Sequence, residues 1–398
     1  MSERPIYMDN QATTRVDPRV VEAMAPFWTE KYGNAGSISH AFGWEAKQAV
    51  DDATASIAVA IGARPREIIY TSGATESNNL ALFGVAGHRR RKGNHLVSVV
   101  TEHKAVLDPL ARLARRDFDV TYLDVIPQTG ACPGLVDLEQ FAAALRDDTA
   151  LVSVMLANNE IGVLQPLADM GEICKERGIL LHCDAAQAVG KIPVDVQQLQ
   201  VDLLSFSGHK IYGPRGIGVL YVRRRAPHVQ LEPQIFGGGQ QQGLRSGTLN
   251  VPAIVGLAKA LELCGDELSA ESQRLSTLRQ HLYDGIVDSV NDVHLNGPAL
   301  DDPATRLAGN LNLRFDYVDG EALMMSIGSL AVSSGSACTS ADPEPSHVLR
   351  ALGLDDDQVR GSLRFGLGRF NTSEEVDRTI GYVREAVTRL RKLSSMAS

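Results

Sequence analysis

Strand-like and helix-like segments alternate from residue 67 to residue 222, and this alternation restricts the fold more than any other feature. Short apolar runs at 67–71, 95–100, 120–123, 150–155, 179–183, 202–206 and 218–222 read as buried strands. Helical periodicity fills many of the gaps, as at 167–177. Such alternation implies a mostly parallel sheet covered on both faces. Ligands in these sheets bind in the crevice at the carboxyl ends of the strands. Thr75, Asp184 and Ser207 each follow a predicted strand, so the topology alone brings them toward one crevice.

From about residue 251 the pattern changes. A long helical stretch runs toward residue 287, a strand-like run follows at 310–315, and a helix starts at Gly320. Strand-like runs recur at 330–333 and 362–365, and an amphipathic helix closes the pattern over 373–392. At 398 residues the chain exceeds one ordinary domain. The expected division is a large domain over 15–260 and a smaller α+β domain built from 1–14 and 261–398.

Lys210 lies in Ser205-Phe206-Ser207-Gly208-His209-Lys210-Ile211-Tyr212-Gly213-Pro214, just past an apolar run. A primary amine framed by hydroxyls and glycines can condense with an aldehyde, while Ser207 and His209 can hold a phosphate. Pyridoxal 5′-phosphate (PLP) asks both of a protein. Asp184 ends another apolar run, where a carboxylate can meet a pyridinium nitrogen. Gly73-Ala74-Thr75 offers backbone N–H groups and a hydroxyl at a helix N-terminus, a setting that favours an anion. The same stretch also fits an ordinary capping signature, with Glu76 as its acid. Gly237-Gly238-Gly239, followed by Arg245-Ser246-Gly247-Thr248, reads equally as a ligand loop or a surface loop. His103, after the run ending near Val100, could stack on a pyridine ring and move protons, a role tied to the Lys210 reading.

Net charge is −9, from 39 basic and 48 acidic residues, which argues against general nucleic-acid binding. The basic runs Arg89-Arg90-Arg91-Lys92 and Arg223-Arg224-Arg225 carry no interleaved aromatics and read as solvated element ends. No window approaches the roughly 18 apolar residues of a membrane span, and residues 1–5 show no targeting pattern. The expected location is therefore cytoplasmic, or a processed matrix form.

Five cysteines, an odd number without C-x-x-C spacing, argue against a disulfide framework and a structural zinc site. Cys174 and Cys264 fall in helical patterns, Cys183 in a strand and Cys132 in a turn. Cys338 differs, lying in Ser333-Ser334-Gly335-Ser336-Ala337-Cys338-Thr339-Ser340-Ala341, a loop of small residues with no large side chain to pin it. A thiol there can act as a nucleophile that swings between two positions.

Six motifs follow in order along the chain. They are Tyr7-Met8-Asp9-Asn10-Gln11-Ala12-Thr13-Thr14, Thr71-Ser72-Gly73-Ala74-Thr75-Glu76-Ser77, Thr101-Glu102-His103-Lys104-Ala105-Val106, Asn158-Asn159-Glu160-Ile161-Gly162, the Lys210 segment and the Cys338 loop. Together they resemble the PLP-dependent cysteine desulfurases of the housekeeping iron–sulfur-cluster type, within the class-V aminotransferases. The resemblance covers essentially the whole chain.

It implies an α/β architecture of PLP fold type I, like aspartate aminotransferase, and a homodimer with sites at the subunit boundary. By resemblance Lys210 binds the cofactor covalently, Asp184 pairs with its ring nitrogen, and Gln187 bonds its phenolic oxygen with Asn159 nearby. His103 stacks on the ring and serves as acid and base. Ala74, Thr75, Ser207 and His209 hold the phosphate, joined by Thr248 from the second subunit. Arg364 clamps the substrate carboxylate, a task suited to a bidentate guanidinium, with Asn159 beside it.

In the implied reaction L-cysteine displaces Lys210, and the freed amine takes the Cα proton. The Cys338 thiolate then attacks the substrate sulfur, leaving a persulfide on Cys338 and releasing alanine. The implied acceptors are an iron–sulfur scaffold protein and other carriers, including those of tRNA thiolation. No resident metal is implied, although Cys338 is a candidate transient cluster ligand. Some positions depart from the common pattern: Gln240-Gln241-Gln242, Asp342-Pro343, 358–361, Ala35-Gly36, and a tail stopping at Ser398. They bear on partner contacts and turnover. The competing readings are an aminotransferase or a selenocysteine lyase on the same fold, and a non-catalytic cluster-assembly hub.

Overall fold

A computed structural model describes residues 4–88, 93–225, 228–334 and 345–397. Its strands are β1 (Ile6–Tyr7), β2 (Ile68–Thr71), β3 (His95–Val99), β4 (Asp119–Leu123), β5 (Thr149–Met155), β6 (Leu180–Asp184), β7 (Leu203–Ser207), β8 (Gly218–Val222), β9 (Val293–Leu295), β10 (Asn310–Phe315), β11 (Leu330–Ala331) and β12 (Ser362–Gly366). The seven strands read from apolar runs between 67 and 222 all form, each within a residue of its expected bounds.

These seven form one sheet in the order β2-β8-β7-β6-β5-β3-β4. It is parallel except for β8, which runs antiparallel to both β2 and β7. The reversal follows from chain length. A parallel return needs a crossover of about a dozen residues or more, and only 208–217 separate β7 from β8. That tight return carries Lys210, which is why the lysine sits at the carboxyl end of β7.

Inner strands are near-continuous apolar runs, as both buried faces require. Two histidines interrupt them and are satisfied across strands. His182 on β6 bridges Ser153 Oγ (2.8 Å) and Ser205 Oγ (3.0 Å), and burial pushes its pKa down to about 4, so it is neutral. His95 on β3 bridges Thr149 Oγ1 (2.8 Å) and Thr121 Oγ1 (2.9 Å) in the same way. Of the arginine cluster after β8, Arg223 pairs with buried Asp202, and Arg225 lies 3.7 Å from buried Glu67. The cluster is thus an ion-paired strand end, not a solvated one; residues 89–92 lie outside the described residues.

A second sheet, β12-β10-β9, is antiparallel. It shares a core with Met8, Leu282, Ile286 and Val383. The helix Val251–Ser289 serves both cores: Ile254, Leu257 and Leu261 pack with the large sheet's core, while Leu275, Leu282 and Ile286 pack with the smaller one. At 1.5 Å per residue it is about 58 Å long. Arg369 ties the smaller unit to the larger, donating to Asp17 (2.9 Å) and Glu271 (2.8 Å) over the Tyr212 ring. The N-terminal segment does so as well. β1 pairs with β11, Gly366 N donates to Met8 O (2.7 Å), and Thr14 N then donates to His209 O (2.8 Å). Among the described residues no helix is long and apolar enough to cross a membrane.

Gly218 fixes the fit between β8 and the turn after β2. A Cβ there would lie 2.6 Å from Gly73 Cα and 2.8 Å from Phe206 O, both backbone atoms that cannot yield cheaply. Gly218→Ala is expected to destabilise the fold by about 1–3 kcal/mol, read as a lower denaturant midpoint. A wild-type midpoint would contradict this packing.

Candidate active site

A cleft at the carboxyl ends of β5, β6 and β7 gathers nearly every residue singled out in the sequence. Ala74, Thr75, His103, Asn159, Asp184, Gln187, Ser207, His209, Lys210 and Arg364 all line it. Two do not. Thr248 is exposed, in a loop held by Arg245 on Glu76 (2.8 Å) and by Gly247 N donating to Gln240 Oε1 (2.8 Å). The glycines 237–239 share that loop and likewise stand outside the cleft of their own chain. Cys338 lies outside the described residues. The other cysteines are buried or, for Cys132, half-buried.

Lys210 projects from its short 3-10 turn and donates to the backbone carbonyls of Gln11 (2.5 Å) and Ala12 (2.8 Å). Gln187, one helical-type turn beyond β6, donates from Nε2 to the same Gln11 carbonyl (2.8 Å). Asp184 ends β6 almost fully buried; Oδ2 accepts from Asn78 Nδ2 (2.7 Å) and Oδ1 from Ala186 N (2.9 Å).

His103 caps the helix Lys104–Ala114 by accepting from Ala105 N at Nδ1 (3.0 Å). An accepting Nδ1 leaves the proton on Nε2 in the neutral ring. Burial lowers its pKa, Lys210 and His347 lower it further, and Asp184 opposes them. His209 is pushed down to about 4, by burial first and Lys210 next, so it too is neutral.

The helix Ala74–Gly87 opens on the cleft with no side-chain cap at its N-terminus. Glu76 does reach back to Ser72 N (2.8 Å), so the capping signature and the open N-terminus coexist. The first turn of a helix leaves backbone N–H groups without intrahelical partners, and here the Thr75 and Ser207 hydroxyls stand beside them. An uncapped N-terminus, hydroxyls, a neutral imidazole, a lysine and a buried carboxylate together match the phosphate, aldehyde and ring nitrogen of PLP.

On the far side Arg364 is buried on β12. Nη1 donates to Asn159 O (2.9 Å) and Nη2 to Asp9 Oδ1 (2.8 Å), while Nε has no protein partner. The turn that presents Asn159 is built by Asn158, whose Oδ1 accepts from Glu160 N (2.8 Å) and Ile161 N (3.0 Å). Gly162 completes it at φ +73°, where a Cβ would strike Asn310 Oδ1 at 2.6 Å. Glu160, fully buried, accepts from Ser346 Oγ (2.5 Å).

Sequence reasoning missed Asn78, Asp9, His347 and the Gln11 and Ala12 carbonyls. Asn78 was findable, since it lies three positions after Thr75 and shares its helix face. Backbone carbonyls leave no trace in the residue pattern.

The class-V aminotransferase family matches residues 6–379. A cysteine desulfurase IscS of Klebsiella pneumoniae subsp. pneumoniae is 54% identical over 394 residues, covering 98% of this chain and 95% of that one. Among solved structures, a NifS-like protein superposes with a TM-score of 0.87 at 38% identity, covering 96% of this chain and 99% of the other. SspA in complex with cysteine gives 0.79 at 36% identity, covering 92% and 99%. With this fold and this cleft, the chain belongs to the class-V aminotransferase family, whose members are PLP-dependent. Within that family it is a cysteine desulfurase.

Burial raises the Glu160 carboxyl from 4.5 to about 7, against the lowering effects of Ser346 and Arg364. A carboxyl raised on folding stabilises most fully below its unfolded pKa, and that contribution is lost as pH rises through the folded value. Glu160→Gln keeps a neutral group on Ser346 and removes the charge. The variant is expected to melt several degrees higher than the parent at pH 8 and equally near pH 4.5. Equal melting temperatures at both pH values would refute the assignment.

Proposed function

We propose that the protein converts L-cysteine to L-alanine with PLP, retains the sulfur as a persulfide on Cys338, and passes it to acceptors for iron–sulfur cluster assembly. One observation carries the reading: Lys210, Asp184, His103 and Arg364 face one cleft whose far wall is an uncapped helix N-terminus. Lys210, Gln187, Asp184 and His103 would hold the cofactor's reactive ring, and Ala74, Thr75, Ser207 and His209 its phosphate. When bound, PLP supplies an aldehyde carbon for the substrate amine and an electron sink that acidifies Cα.

Asp184 would face the ring nitrogen of the cofactor, its two oxygens held in place by Asn78 Nδ2 and Ala186 N. Lys210 Nζ would take the Cα proton. His103 Nε2–H serves as the second proton carrier. Arg364, whose Nη1 and Nη2 are oriented by Asn159 O and Asp9 Oδ1, would hold the substrate carboxylate. The Cys338 thiolate attacks the substrate sulfur; the C–S bond breaks as the S–S bond forms, and the released electron pair takes a proton at carbon to give alanine. Both described flanks of Cys338 support this role. Ser333 exchanges backbone hydrogen bonds with Arg364, and Pro345, Ser346 and His347 line the cleft.

The working unit proposed is a homodimer. Thr248 would complete the phosphate site of the second subunit, and the exposed Trp28, Tyr32, Phe42, Trp44 and Phe236 are large apolar side chains suited to cover by another copy. A cytoplasmic setting, a domain division at 15–260 against 1–14 with 261–398, and sulfur delivery to a scaffold protein and to carriers for tRNA thiolation belong to the same reading.

Purified protein should show a visible PLP band and release one alanine for each sulfur transferred. Lys210→Ala should lose the covalently bound cofactor's band and turnover. Cys338→Ser should keep the band while persulfide formation falls about a thousandfold or more. Parental sulfur release by Cys338→Ser would overturn the assignment of the nucleophile.

A further inference from the structure

Behind Lys210 lies a second lysine that the reaction as described does not use. Lys191 follows Gln187 by four positions on the turn after β6, a spacing that puts both side chains on one side. Its Nζ donates to Gln187 Oε1 at 2.5 Å. Gln187 Nε2 donates to Gln11 O, and Lys210 Nζ donates to that same oxygen. One continuous chain of hydrogen bonds therefore runs from Lys191 through Gln187 and a single backbone carbonyl to Lys210.

Lys191 as a residue keeps some surface, yet its ammonium is turned inward and packed round by protein. Among the described residues it has no ion-pair partner. Glu271, which borders the same small cavity, already accepts from Arg369 Nε (2.8 Å) and Tyr212 Oη (2.9 Å). A lysine here whose hydrogen bond goes to a neutral amide is better explained by what it does to that amide than by ion pairing.

We propose that Lys191 is a positioning residue for the desulfuration site: it fixes which end of the Gln187 amide faces the cleft and places a second positive charge behind Lys210. This rests on the PLP reading of the cleft. In its charged form Lys191 only donates, so it compels Gln187 to turn Oε1 toward it. The amide must then present N–H groups on the cleft side, one to Gln11 O and the other free for the phenolic oxygen of the cofactor. Without Lys191 the amide can flip and offer an acceptor where a donor is needed.

The charge acts separately. Lys191 and Lys210 disfavour each other's protonation, and the pKa of Lys191 falls to about 7, by burial first and Lys210 next. Arg364 on β12 acts in the same direction, while Cys264 and Glu271 on the long helix oppose it. Around Lys210 itself stand Asp184 on β6, His103 at its helix start, and His209 with Arg215 on the return to β8. Taking away Lys191 leaves the other groups in place and removes one repelling cation.

The test uses full-length protein reconstituted with PLP. The pH midpoint of its visible band, which reports protonation of the Lys210 nitrogen, and the PLP dissociation constant are both measured. In Lys191→Met the midpoint is expected to rise by about half a unit or more, and PLP binding to weaken about tenfold. In a Gln187→Leu background the same substitution should no longer weaken PLP binding, while the midpoint shift persists, because the charge does not act through the amide. Should Lys191→Met not accumulate as folded protein, Lys191→Gln carries the same measurements. An unchanged midpoint with unchanged affinity overturns the proposal, as does full additivity of the affinity losses in the cycle. A parent protein that binds no PLP overturns the reading of the cleft as well, whereas a parent that binds PLP normally beside an indistinguishable Lys191 variant sinks this inference alone.

Discussion

The carbonyl oxygens of Gln11 and Ala12 hold the site together. They accept from Lys210 and, at Gln11, from Gln187, and they belong to a segment that begins in the smaller unit and ends against the larger. The lysine is therefore aimed by backbone supplied from another sheet, not by its own turn. Asp9, on the same segment, pairs with Arg364. A single strip of chain thus sets the distance between the amine that would hold the cofactor and the guanidinium that would hold the substrate. Any movement of the two units changes both ends of that strip together.

Electrostatically the cleft is sorted by burial. Burial lowers the pKa of His103, His182 and His209; Asp184 opposes it at His103 and His182, whereas Lys210 and Arg215 reinforce it at His209. Asp184 is held in place at both oxygens, by Asn78 Nδ2 and Ala186 N. Positive charge is left mainly to lysine and arginine, on the walls where phosphate and carboxylate groups would sit. Neutral histidines can stack or shuttle protons without adding to that charge.

Much of this was legible from residue order. Apolar runs located the seven strands, because strands buried on both faces must be apolar throughout, and the strand-end rule then brought Thr75, Asp184 and Ser207 together. Direction was harder. The reversal of β8 depends on the length of the segment from 208 to 217, which also carries the chemistry. Lys210 could be named from its flanking hydroxyls, but its partners are main-chain oxygens with no residue signature. Helix periodicity over 251–289 is continuous, so the pattern gave no sign that its two halves enter different cores.

The pairing of β1 with β11, and of Asn10 with Gly366, has a consequence for biosynthesis. Asn10 Nδ2 bonds an oxygen 356 positions later. Residues translated first must therefore wait, without their native partners, until nearly the whole polypeptide has left the ribosome. Contacts of such long sequence separation form late and slowly. The large sheet can assemble during elongation, yet its amine-bearing turn lacks its seat until the last strand arrives. The seating of that amine is thereby postponed until β12 has emerged.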